Sequence, residues 1–335
     1  MEKKGYDHID LWKCIFAVAV IMIHTQPYIN CGDTFVWYFS ALFTRMAVPF
    51  FMISSSFFLG RKIREKGIDV ISDYRKRLLP KLLIWGCLGL LMNAMRWYLQ
   101  SKSIGKTLLL VIQSAVFNPK GLMWFILALI ISSFILEFML RRHVPAAAMG
   151  GIAAVLFAFA LLCNTYYFLV SDTALGKAID VYLRTCITAR NGLFLFVYMF
   201  IGYAISSESM KTIRRGALIL MIAAGCGLLV AEASLLLHVE KADDASLFLS
   251  YLVLIPSFIL LFTTIAAPVP HHRALRSLSG VMYYTHPVFA LLFNVLLSSM
   301  MGAGVLKFVI VLAATVAVWA ATKDSKNRFI RKMLY

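Results

Sequence analysis

The sequence predicts an all-α polytopic membrane protein, a bundle of about ten transmembrane helices with both termini in the cytoplasm. Three observations carry that expectation. Hydrophobic residues make up 61% of the 335 residues, charged residues only 15%, and the mean hydropathy is +0.81. A soluble domain has an apolar fraction nearer half and a charged fraction nearer a quarter, so the soluble classes are excluded. Apolar runs of spanning length recur along the whole chain, and the basic residues between them alternate in density as a membrane topology requires.

In chain order the runs fall near 10–28, 36–59, 79–99, 122–140, 146–168, 190–206, 216–237, 246–267, 280–300 and 303–322. The first has a short basic lead and no small-residue cleavage site after it, so it reads as a retained span rather than a removed signal peptide. The fifth starts just after Arg141-Arg142-His143 and contains Gly150-Gly151. Counting nine helices instead would put the C-terminal cluster of Lys323, Lys326, Arg328, Arg331 and Lys332 outside, against the positive-inside rule. The N-terminus and every second connection together hold 22 Lys and Arg, the opposite connections seven, which orients the bundle. The net charge of +17 is therefore mainly an orientation signal, and nucleic acid is not an expected partner; the lipid bilayer is. Residues 1–335 read as one transmembrane domain without a soluble appendage or an internal repeat. The two longest opposite connections, about 100–121 and 169–189, are long enough for interfacial helices, TLLLVIQSAVF being one. The six cysteines lack metal or redox spacing, and no metal is expected.

Chemistry concentrates where charge interrupts an apolar run. Lys13 and His24 share one face of the first helix, eleven positions and roughly 16 Å apart along its axis. Asp10 lies one turn from Lys13 and is placed to pair with it, and Ala17 leaves a shallow groove between Lys13 and His24. Polar groups in lipid are costly unless they face protein or water, so the stripe marks an interior path, or else a bundle histidine and a snorkelling lysine. In the second run Arg45 precedes Pro49 by four residues; the missing proline N–H predicts a kink and a polar environment there. Ser54 adds a hydroxyl lower on the same helix, either as site lining or as small-residue packing. The following basic segment holds Arg61, Arg64, Arg75 and Arg77, which suit anionic lipid or the phosphates of a cytoplasmic ligand. Trp124 reads as an interfacial aromatic, and Arg190-Asn191 as an interface anchor or part of an outer vestibule. Glu232 is a candidate partner for Arg45 or His24, and His286, beside Pro287, a packed or a functional histidine.

Taken together these motifs resemble the membrane acyltransferases of acyltransferase family 3. Asp10, Lys13 and His24 match that family's opening pattern of an acidic residue, a basic residue three on and a histidine after ten intervening positions. RMAVPFFMISSS, with Arg45, Pro49 and Ser54, matches its arginine-proline-phenylalanine-serine run. Trp124 in LMWFILAL and His286 in YYTHP fit its later landmarks. RNGLF resembles a subgroup that includes the membrane part of vancomycin-resistance serine racemases. Lys13 stands where arginine is commoner, and Ser55 where glycine is usual.

The resemblance implies an enzyme of the bacterial cytoplasmic membrane. It would carry an acyl group, commonly acetyl, from cytoplasmic acyl-CoA to a hydroxyl of an extracytoplasmic or lipid-linked glycan. On that expectation His24 is the general base and Arg45 orients the acceptor or stabilises the oxyanion. Asp10, Lys13, Ser54, Trp124, Glu232 and His286 support the tunnel, the nucleotide end of acetyl-CoA binds Arg61, Arg64, Arg75 and Arg77, and its acyl arm runs along the Lys13–Ala17–His24 stripe. Arg190 and Asn191 line the acceptor side. The alternative is a transporter or exporter of a serine-like small molecule, which the same buried charges would suit, although transporters are commonly built as two matching halves.

Overall fold

The computed structural model describes residues 6–116, 123–185, 191–239, 246–265, 267–297 and 303–335. Among them the regular structure is helical, and every apolar run coincides with at least one helix. The α-helices are α1 (Asp7–Thr25), α2 (Asp33–Leu42), α3 (Ala47–Lys66), α4 (Val70–Ser101), α5 (Ile104–Val116), α6 (Trp124–Arg141) and α7 (Ala146–Leu162). They continue as α8 (Ala174–Thr185), α9 (Phe196–Ile205), α10 (Arg215–Leu237), α11 (Tyr251–Thr264), α12 (His272–Leu296), α13 (Gly304–Thr322) and α14 (Arg328–Leu334). Among the described residues six stretches are long and apolar enough to cross a membrane: α1, 33–66, 70–98, α6, α10 and α13. Helices α7, α9 and α11 are apolar but shorter. Both long connections contain helices, and α5 covers most of TLLLVIQSAVF with Leu108, Leu109 and Ile112 exposed.

Local chemistry explains the boundaries. The second apolar run is broken rather than bent: α2 ends at Leu42, Phe43 leaves helical geometry (φ −135°, ψ −66°), and Thr44–Met46 forms a 3₁₀ turn before α3 begins. Pro49 is the third residue of α3, within the first turn, where backbone N–H groups have no intrahelical acceptor and the proline costs nothing. Arg45 therefore sits on the 3₁₀ turn between two helices. At the other doubtful boundary, His143 takes the left-handed conformation (φ 52°) and the Val144 N–H returns to the Met139 carbonyl, 3.0 Å away. That is a Schellman closure, and with Pro145 behind it α6 stops and α7 starts afresh.

The chain divides into two compact units. The first comprises residues 1–57, 205–239 and 248–335, the second 58–204 and 240–247. In the first unit α1 packs along α12 and α13, α12 packs on α13, and α10 pairs with α11 and α2. Ala17, Ile21, Met282, Ala290 and Val311 form the buried centre of that packing. The small Ala17 lets α12 come close, as small residues do between membrane helices. The groove expected along the Lys13–Ala17–His24 stripe is accordingly a filled seam, with Ala17 only 1% exposed. In the second unit α4 packs on α5 and α6, and Cys163 and Ile179 close a small core with Phe159, Leu162, Tyr167 and Val170.

Gly304, the first residue of α13, lies against the backbone carbonyl of Gln26, which caps α1 in left-handed geometry. A Cβ at position 304 would collide with that carbonyl oxygen. Gly304→Ala is expected to lower stability by about 1–3 kcal/mol, read as a lower melting temperature of the detergent-solubilised protein.

Candidate active site

The first unit holds the polar residues of α1, and their partners come from α12. At the N-terminal end of α1 the Asp10 carboxylate is buried, and its Oδ2 receives His272 Nδ1 at 3.2 Å and Arg276 Nε at 3.2 Å. Asp7 Oδ1 lies 3.3 Å from the same histidine nitrogen. His272 and Arg276 are one turn apart on α12, so both reach a single carboxylate. The sequence offers Lys13 as the partner of Asp10; the structure gives the carboxylate to α12, and Lys13 keeps within electrostatic range of both Asp10 and Arg276.

At the C-terminal end of α1, His24 lies in the last turn and is exposed, beside the buried Thr25. Its ring packs on the ring of His286, with centroids 5.1 Å apart and planes inclined by 38°. His286 is 2% exposed, and its Nδ1 lies 2.9 Å from the Met282 carbonyl oxygen, one turn earlier in α12. A carbonyl only accepts, so Nδ1 carries the hydrogen and Nε2 keeps its lone pair. That Nε2 is buried and has no hydrogen-bond partner among the described residues. Pro287 follows directly and has no N–H for the Tyr283 carbonyl, which loosens the backbone at the histidine.

Arg45 belongs to the same unit. Its 3₁₀ turn packs against α1, and the flanking Phe43 and Phe50 rings lie 6.1 Å and 4.7 Å from the ring of Phe16. The aromatic residues that flank the turn thus meet the middle of α1, at Phe16. The guanidinium sits over Trp37, 6.0 Å from the ring centroid. Trp37 is fixed in turn, its Nε1–H donating to the Ala233 carbonyl at 2.8 Å, while Tyr38 pairs with Ser234 at 2.8 Å. The Tyr251 hydroxyl donates to the Ala41 carbonyl at 2.6 Å, so α2 is held to both α10 and α11.

Glu232 has a structural task. Its carboxylate accepts from the Leu249 N–H at 2.8 Å, the Ser250 N–H at 3.0 Å and the Ser250 hydroxyl at 2.6 Å. It caps the start of α11 from a neighbouring helix, where unpaired N–H groups and the helix dipole favour negative charge. Ser54 is fully buried, and its hydroxyl donates to the Phe51 carbonyl at 3.3 Å, in the manner of a packed serine.

The second unit contains the remaining residues. Arg75 forms a shielded ion pair with Glu137 and lies 4.0 Å over the Phe134 ring. Arg141 joins Glu137 at 2.8 Å and Asp69 at 2.7 Å. Arg64 donates to the carbonyls of Gly60 at 3.2 Å and Tyr203 at 3.1 Å, and covers the Tyr203 ring at 4.5 Å. Arg64 and Arg75 are thus engaged in holding helices together. Arg61 makes an exposed pair with Glu65 at 3.7 Å, and Arg77 donates to the Asp73 carbonyl at 3.3 Å. Trp124 begins α6 edge-on to Phe125 at 6.2 Å. The Asn191 side-chain oxygen accepts from the Leu193 and Phe194 N–H groups at 2.9 and 3.2 Å, closing the turn before α9. Arg190 lies outside the described residues. Those residues contain no group of three metal-ligating side chains.

Two participants escape the sequence reading, His272 and Trp37. His272 stands in HHRALR, a stretch counted only for topology, and its spacing to Arg276 signals a shared helix face. Trp37 looks like an interfacial aromatic until the break after Leu42 turns Arg45 onto its ring.

The model of a family described as an acyltransferase domain matches residues 6–323. The chain is 25% identical over 264 residues to a protein named amino-acid racemase from Enterococcus faecalis. That match covers 78% of this chain and 36% of the relative's length. No solved structure matches.

Glu232→Ala removes the acceptor of two backbone N–H groups and a hydroxyl at the start of α11. It is expected to cost about 1–3 kcal/mol, read as a lower melting temperature, with Glu232→Gln losing less because its amide oxygen still accepts.

Proposed function

Because the chain belongs to the acyltransferase family, its model matching residues 6–323, we propose that this membrane protein is an acyl-CoA-dependent O-acyltransferase with His24 as general base. Acetyl is the favoured acyl group, and the acceptor is a hydroxyl of an extracytoplasmic or lipid-linked glycan at the bacterial cytoplasmic membrane. The observation that carries the reading is the exposed imidazole of His24 at the end of an apolar helix, backed by a buried second imidazole. An exposed ring can meet an acceptor arriving from outside the bundle, and an imidazole titrates near neutral pH as a base must.

In the reaction the acceptor oxygen attacks the thioester carbonyl, a C–O bond forms and the C–S bond breaks. The hydroxyl proton passes to His24, and from there to the departing thiolate. Arg45, held against Trp37, supplies positive charge for the carbonyl oxygen or orients the acceptor, a contribution that grows where water is excluded. Asp10 and Lys13 guard the donor end of the first unit, with His272 and Arg276 fixing the carboxylate. The basic segment with Arg61, Arg64, Arg75 and Arg77 is the candidate for the donor's phosphates, Arg64 and Arg75 also holding internal contacts. The seam filled by Ala17 and Ile21 removes that face of α1 from the route of the acyl arm.

The test is incubation of purified protein with labelled acetyl-CoA and cell-envelope glycans, following thiol release and label transfer. His24→Ala is expected to abolish transfer with normal membrane insertion, a loss of at least about 10²-fold. Full activity in that variant, or uptake of a small molecule without donor turnover, overturns the assignment. Arg45→Lys, which keeps the charge but loses the planar fork, is expected to lower kcat by about 10²-fold.

A further inference from the structure

We infer that His286 is the orienting partner of His24. Its Nε2 accepts the N–H of the ring nitrogen of His24 that does not face the acceptor, so that the other nitrogen presents its lone pair to the hydroxyl. The inference rests on the acyl-transfer reading and adds to it a residue with a defined role.

Four observations lead there. The two rings are in contact range, 5.1 Å between centroids. The Nδ1 of His286 is committed to the Met282 carbonyl at 2.9 Å, which fixes the tautomer and leaves Nε2 as a pure acceptor. That acceptor is buried in a residue 2% exposed and has no partner among the described residues, although a buried polar atom left unmet costs about 1–3 kcal/mol. The two histidines differ in exposure, one reaching the surface and the other enclosed, the division of labour expected between a base that touches substrate and a group that holds the base.

The resulting order is Met282 carbonyl, His286 Nδ1–H, His286 Nε2, His24 N–H and His24 lone pair. When His24 takes the acceptor's proton it becomes a cation with two N–H groups, and His286 Nε2 receives the rear one. The charge is shared with a neutral imidazole, no proton need leave His286, and the Met282 carbonyl prevents that ring from turning. A hydrogen bond of this kind is commonly long before substrate arrives and tightens in the reacting complex.

His286 is a positioning residue on this account, so the test needs a readout besides rate. The full-length protein with ¹⁵N-labelled histidine, in lipid nanodiscs at a pH where both rings are neutral, reports which ring nitrogens carry hydrogen. His24→Gln and His286→Gln assign the signals. The expected result is hydrogen on Nδ1 of His286, none on its Nε2, and one fixed tautomer for His24. In His286→Leu the His24 signals should split between tautomers, and thiol release from acetyl-CoA should fall about 10²-fold in kcat with an unchanged KM for the donor. His286→Gln, whose amide oxygen can still accept, should recover most of both. Hydrogen on Nε2 of His286, an unaltered His24 tautomer in His286→Leu, or wild-type kcat in that variant overturns the inference. If His286→Leu fails to insert, the wild-type spectrum and His286→Gln decide it. If the wild-type protein does not turn over acetyl-CoA, the acyl-transfer reading falls, and the tautomer spectra still decide the histidine pairing.

Discussion

A polar side chain on an apolar helix must find its partner on another helix, and in the first unit that demand fixes α1 against α12. Asp10 is met by His272 and Arg276 near one end of α1, and His24 is met by His286 near the other. Between the two contacts Ala17, Ile21 and Met282 belong to one buried apolar cluster. A polar clamp at one end, a contact of two imidazole rings at the other and an apolar seam between them set both the register and the separation of the helices. A shift of one residue would rotate Asp10 and His24 by about 100° and break both contacts at once.

Arg45 depends on a different device. Its position comes from backbone geometry, the 3₁₀ turn left between α2 and α3, rather than from a long side chain bending out of a regular helix. Helix α2 is anchored by Trp37 to Ala233, by Tyr38 to Ser234 and by Tyr251 to Ala41. The same part of the unit includes Glu232, whose carboxylate organises the start of α11. Charge that looks catalytic in a linear reading thus serves to build the frame on which the arginine rests.

The helical class, the apolar runs and the special status of position 45 were legible because hydropathy and proline chemistry are local. Pro49 announced an irregularity, and the structure resolves it as a break because a proline in the first turn of a new helix loses nothing. What was not legible is pairing. Nothing near Asp10 in sequence points to His272, 262 positions away, and one-turn spacing made Lys13 the natural candidate. Glu232 stood as a candidate partner for Arg45 or His24 because Leu249 and Ser250, which donate to it, give no sign of that in the sequence. Arg64 and Arg75 read as free cations in a basic segment because Tyr203 and Glu137 are remote along the chain. Ala17 read as an opening because a small side chain leaves space only until a neighbouring helix fills it.

The distance along the chain between α1 and α12 has a consequence for biosynthesis. Ribosomes add roughly 5–20 residues per second, so α12 emerges on the order of tens of seconds after α1. For that interval the first helix holds an acidic and an imidazole side chain whose partners have not yet been made, in surroundings where unmet polar groups are costly. The nascent chain must keep α1 beside the insertion machinery, or with its polar face toward water, until residues 272–286 arrive. Substitutions in α12 are therefore expected to act on the yield of inserted protein as well as on the finished bundle, because α12 carries the partners that α1 awaits.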